Sequence, residues 1–135
     1  MDIGLVSRAS HLNIATLLQE EIMLINQGAL VEQFVGQELL AYQDVLLPPE
    51  LHFWARDKKG SQAQVDYVIA LNGQVVPIEV KSGATGRLKS LQQLMQHYDL
   101  PYGVQLAACP LEKTSHIIKV PLYLTSELPR LYHTC

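Results

Sequence analysis

The dipeptide Asn72-Gly73 sits inside "VDYVIALNGQVVPIEVK", residues 65 to 81, and restricts this chain more than any other feature. Asn-Gly between two apolar, β-branched runs is the strongest short hairpin signal, because a type I′ turn needs positive φ at both central residues. A two-residue loop also fixes the register. With Leu71 facing Gln74, counting outward from the turn places Asp66 directly opposite Glu79. Side chains alternate between faces along a strand. Val65, Tyr67, Ile69 and Leu71 are therefore expected on one core face with Val76, Ile78 and Val80. The other face carries Asp66, Val68 and Ala70 against Val75, Pro77, Glu79 and Lys81, apolar near the turn and charged at the far end.

The flanking segments supply the layers. Residues 10 to 27 hold two apolar stretches, "HLNIATLL" and "IMLI", that read as a loose helical lead-in. From Gly28, "GALVEQFVGQELLAY" spaces Val31, Phe34, Val35, Leu39 and Tyr42 for an amphipathic helix, ended by Pro48-Pro49. Glu32 lies at the edge of that stripe; Glu38 lies near its middle, where a carboxylate needs a partner or a role. "LHFWA" predicts a short strand whose Phe53 and Trp54 fill core, and "RDKKGSQAQ" predicts a polar turn.

After the hairpin, "LKSLQQLMQHY" places Leu88, Leu91, Met95 and Tyr98 on one helical face before Pro101. "YGVQLAAC" and "HIIKVPLYL" predict two further strands. A strand, a short helix and another strand imply a right-handed parallel crossover from residues 75–81 into 103–108. The expected fold is α/β, a mixed sheet flanked by helices, in the order helix, three strands, helix, two strands. One domain is expected over residues 1–135, with a lead-in to about residue 27 and a core over 28–124.

Composition bounds the function. The chain has 135 residues, 48% hydrophobic and 17% charged, which suits one packed domain. No run approaches the roughly 20 apolar residues of a membrane span and no secretory signal opens the chain, so a cytoplasmic location without membrane contact is expected. Cys109 and Cys135 lack metal-ligand or disulfide spacing and read as free thiols. A net charge of -3 argues against tight autonomous nucleic-acid binding, although Arg56, Lys58, Lys59, Lys81, Arg87 and Lys89 cluster within one third of the chain.

The charged end of the hairpin carries the chemistry. Like charges facing each other across a ladder, with Cβ atoms roughly 5 Å apart, are destabilising and need compensation. Lys81 or a divalent cation would supply it, and two carboxylates completed by waters and a substrate phosphate suit Mg²⁺ or Mn²⁺. Such an ion polarises a phosphodiester and acidifies a water, while the Lys81 ammonium offsets charge on the phosphorus oxygens.

A helix carrying an acid, then an Asp, a hairpin, Glu-x-Lys, a helix and more strands resembles the PD-(D/E)XK nuclease-like, restriction-endonuclease-like fold, with Glu32, Asp66 and Glu79-Val80-Lys81 at its motif positions. The chain resembles more closely the uncharacterised domain found at the C-terminus of prokaryotic AAA+ ATPases, through Asp2-Ile3-Gly4-Leu5, "GALVEQFVGQEL", "VDYVI", "PIEVKSG" and "SLQQL". The resemblance implies a metal held by Asp66, Glu79 and the carbonyl of Val80, Glu32 as a further acid, and Lys81 as the catalytic lysine. Val65 stands where the fold's name has Pro, and Leu94 interrupts a Gln-x-x-x-Tyr helix motif. No G-x-x-x-x-G-K-[ST] occurs, so the ATPase domain is expected to be absent and the chain to be a truncated product, an excised piece or a stand-alone relative. Two functions follow as expectations: a Mg²⁺-dependent DNA endonuclease, or a catalytically silent module binding nucleic acid or a partner protein such as an AAA+ ATPase. A DNA duplex outreaches one such domain, and a homodimer is compatible with that reach.

Overall fold

The computed structural model describes residues 20–41, 43, 46, 48–58, 61–83 and 88–133, without the side chains of 20–26, 57–58 and 61–62. Asp2-Ile3-Gly4-Leu5, the stretch "HLNIATLL", Tyr42, Lys59, Arg87 and Cys135 lie outside the described residues.

Among the described residues, six strands form one mixed sheet in the order β1-β2-β3-β4-β6-β5. They are β1 (His52–Lys58), β2 (Ser61–Leu71), β3 (Gln74–Val80), β4 (Gly103–Ala107), β5 (Glu112–Lys113) and β6 (Ile117–Pro121). The helices are α1 (Glu20–Ala41), α2 (Lys89–Tyr98) and α3 (Leu128–His133), with a 3₁₀ turn over Leu122–Glu127. β1, β2 and β3 pair antiparallel, β3, β4 and β6 pair parallel, and β5 caps β6 antiparallel. The α/β mixed sheet flanked by helices, and the parallel step from β3 through α2 to β4, are as the sequence leads one to expect. No helix among the described residues is long and apolar enough to cross a membrane.

The hairpin turn has the expected conformation, with φ of 54° at Asn72 and 77° at Gly73. Leu71 pairs with Gln74, Ile69 with Val76 and Tyr67 with Ile78. Pro77 faces Val68, one residue out of step with those pairs. Its missing N–H therefore falls on the side toward β4, whose pairing with β3 begins only at Ile78.

Burial on both faces makes the core. On one face Val35 and Leu39 of α1 meet Ile78, Val80, Val104, Leu106 and Val120, and Leu128 and Tyr132 of α3 close the cluster. On the other, Leu91, Leu94 and Met95 of α2 cover Val65 and Ile117.

Several expectations need correction. The helix expected from Gly28 begins at Glu20, so the lead-in and the amphipathic helix merge. "RDKKGSQAQ" is mostly strand: Asp57 pairs with Gln62 and Lys58 with Ser61, because ladder hydrogen bonds override polar composition at a sheet edge. Phe53 is 67% exposed rather than core, since alternation along β1 turns Trp54 inward against the α2 cluster instead. Tyr98 is also exposed, and Leu94 completes the buried stripe of α2. The last predicted strand stops at Pro121, where the 3₁₀ turn takes over, and β5 adds a strand that the apolar pattern does not mark.

Because both turn residues hold positive φ, which costs a side chain branched at Cβ about 1–2 kcal/mol, Asn72→Val and Gly73→Val should each lower stability by about that amount. Urea unfolding curves with unchanged slope and earlier midpoints are the expected result.

Candidate functional site

An extra residue in β2 shapes the charged end of the hairpin. His52 pairs with Val68 but Trp54 pairs with Val65. Asp66 and Tyr67 thus share the space opposite Phe53, the arrangement of a β-bulge, which breaks face alternation and re-aims side chains. Val65 accordingly packs under α2 while Tyr67, Ile69 and Leu71 pack toward α1. The expectation that all four share one face is corrected here; no feature of the apolar pattern announces the bulge.

The ladder between β2 and β3 stops at Tyr67–Ile78. Asp66 and Glu79, expected as the next facing pair, do not form a rung. The Val80 amide instead donates to Asp66 Oδ2 at 2.7 Å, so a carboxylate substitutes for the missing strand partner. The Lys81 amide donates to the Leu106 carbonyl at 2.8 Å, toward β4. Since neighbouring residues of a strand direct their backbone groups to opposite sides, the Val80 carbonyl faces the same opened gap as its amide.

Glu79 is 6% exposed, and its Oε1 accepts from Lys81 Nζ at 2.5 Å. Its Oε2 is buried without a hydrogen-bond partner. A buried carboxylate oxygen left in that state is costly and asks for a cation or donor. Loss of hydration raises the Glu79 carboxyl above its usual range; the Lys81 hydrogen bond opposes this and the Asp66 charge adds to it. Asp66 is raised too, by burial first, against the pull of the Val80 amide and Lys81.

Tyr67 brings in the helix. Its hydroxyl donates to the Glu32 carbonyl at 2.9 Å, and the approach requires Gly36, where a Cβ would lie 2.8 Å from that hydroxyl oxygen. Docked this way, α1 brings Glu32 within electrostatic reach of the site. Partial burial raises the Glu32 carboxyl, with Asp66 adding to the rise and Lys81 opposing it. The Tyr67 phenol is raised by burial and by the Glu32 and Asp66 charges.

The structure therefore gathers Asp66, Glu79, the Val80 backbone and Lys81, and leaves Glu32 exposed at the rim. Among the described residues, no group of three or more His, Cys, Asp and Glu side chains is arranged to hold a metal ion. Glu38 is only half-buried along α1. Two residues of the neighbourhood escape the motif pattern: Tyr67, which looks like one more core aromatic, and Gln105, 3% exposed and in register with Glu79. The lone amide within "GVQLA", a strand buried at every position, is the signal that would have marked the second.

The family model described as a domain of unknown function, DUF4143, matches residues 27–124, more than half of the chain. The chain belongs to the DUF4143 family. The match is consistent with the resemblance to a C-terminal domain of AAA-type proteins, and it spans every residue of the site just described. No curated protein and no solved structure matches the chain.

Two outcomes follow for this DUF4143 domain. Raised carboxyl pKa values mean that the folded state keeps protons to higher pH than the unfolded chain, so their stabilising contribution is complete below the ordinary carboxylate range and is lost as pH rises through the raised values. An Asp66→Asn, Glu79→Gln double variant should flatten that decline and, without added metal, melt above the wild type at neutral pH; thermal melts from pH 4 to 8 check this. Gly36→Ala should push α1 off Tyr67 and cost about 1–3 kcal/mol, with recovery expected when Tyr67→Phe is added in a double-mutant cycle.

Proposed function

We propose that the corner formed by Asp66, Glu79, Val80 and Lys81 is a divalent-cation site for hydrolysing phosphodiesters of DNA. The observation that carries this reading is the buried, unpartnered Glu79 Oε2, next to a backbone carbonyl aimed into a gap that Asp66 lines. The donor set fits Mg²⁺ or Mn²⁺: hard oxygens from two carboxylates and one carbonyl, leaving room for waters and phosphate. Such a cation supplies Lewis-acid polarisation of the phosphodiester and a more acidic water.

The residues of the chain divide the remaining tasks. Asp66 has Oδ2 held by the Val80 amide, which fixes the carboxylate and leaves Oδ1 for the ion. Glu79 is oriented by Lys81 through Oε1 and offers Oε2. Lys81, whose side chain is the more exposed of the pair, would offset charge that builds on the phosphorus oxygens. Glu32 adds acidity at the rim, where it orders water. The PD-(D/E)XK resemblance supports these assignments, and the site's position at the C-terminal ends of the parallel strands β3 and β4 is where open α/β sheets place ligands.

A second reading has its own support. A net charge of -3 and the lack of a third converging acid among the described residues favour a silent module that binds nucleic acid or a protein partner such as an AAA+ ATPase.

Calorimetric titration with Mg²⁺ and Mn²⁺ separates the two. Saturable binding lost in Asp66→Ala, Glu79→Ala, together with cleavage of duplex, single-stranded or branched DNA lost in Lys81→Ala, is expected of the nuclease. Cleavage retained by folded Asp66→Ala and Lys81→Ala variants would sink the assignment, and partner capture surviving both substitutions is the signature of the silent module.

A further inference from the structure

Gln105 stands beside Glu79 in the driest part of the sheet. Every residue of β4 is buried, and Gln105 itself is 3% exposed. An amide so enclosed is retained at a desolvation cost, which points to a task for its hydrogen-bonding groups. The β3–β4 ladder pairs Glu79 with Gln105, and in-register neighbours on adjacent strands carry their side chains on the same face, about 5 Å apart. Glu79 brings an oxygen lacking a donor, since Lys81 occupies the other one. Gln105 brings two N–H donors.

The next residue along this row is Lys119, in register with Gln105. Its ammonium is engaged by Glu112 Oε2 at 2.6 Å, so it is not free to serve Glu79. A neutral amide has a further advantage at this position: it steadies a carboxylate without adding a positive charge that would repel a divalent cation.

We propose that Gln105 is a positioning residue for Glu79: Oε2 has no donor in the arrangement described above, and when Glu79 receives a cation the in-register Gln105 side-chain amide donates to the carboxylate and holds its orientation. This rests on the reading of the corner as a cation site. Partners that orient a ligating carboxylate typically change metal affinity 10–100-fold. Gln105→Met keeps the length and removes both donors, so Mn²⁺ titrated into the purified full chain should bind about 10–100-fold more weakly, with the melting temperature nearly unchanged.

A folded Gln105→Met that binds Mn²⁺ as tightly as the wild type overturns the inference, and a lower melting temperature with unchanged affinity marks a purely structural amide and overturns it as well. Wild-type protein that binds no Mn²⁺ defeats the cation reading itself and this inference with it, before any variant is compared. Where the Met variant does not fold, the wild type still decides: the Gln105 side-chain NH₂ resonances should shift during a Mg²⁺ titration with the midpoint measured by calorimetry, and resonances that stay put contradict the role.

Discussion

The hydrogen bond from the Val80 amide to Asp66 Oδ2 marks the point where β3 leaves one neighbour and relies on another. Up to Ile78 the strand is paired with β2; from Ile78 onward it is paired with β4. At Val80 the backbone groups facing β2 have lost their strand partner, and an unpaired buried amide costs about as much as a lost hydrogen bond. A carboxylate supplies the partner, and its negative charge stays at the gap. The charged corner is in this sense a by-product of how the hairpin opens, and the bulge at Asp66 and Tyr67 is what opens it.

The same corner concentrates unfavourable terms. Three carboxyl groups have their charged forms disfavoured by lost hydration, and the Lys81 ammonium opposes the rise in all three. Packing holds the arrangement in place. Tyr67 locks α1 by a hydrogen bond into the helix backbone at a position kept clear by Gly36, while β3 and β4 are buried over most of their length. Local cost sustained by surrounding burial is the usual balance at binding sites.

Much of this was legible in the residues, for identifiable reasons. Asn72-Gly73 fixes the hairpin and its register, and the spacing of Leu91 and Met95 marks α2, since both signals are local. Lys81 beside Glu79 follows from a period of two along one strand. What the pattern does not reveal depends on contacts distant in sequence. The bulge arises from pairing between β1 and β2, and it moves Val65 to the opposite face. The outward turn of Phe53 depends on which side of an edge strand finds cover. Tyr67 reads as an ordinary core aromatic until the Glu32 carbonyl, 35 residues away, comes within 2.9 Å. Gln105 gains meaning only from the strand beside it.

Pro77 and the late start of β4 have a geometric consequence for the hairpin tip. Among the described residues, past Val68 and before Ile78 the two strands pair only with each other, forming a ribbon seated through Leu71 and Val76 on the core. Asn72 and Gly73 at its end are exposed. Six residue steps along the strand lead from Asp66 to Asn72, about 20 Å at the usual rise of a strand. The tip thus stands outside the charged corner on the same two strands that form it, suited to carry a spectroscopic label that reports on whatever occupies that corner without touching it.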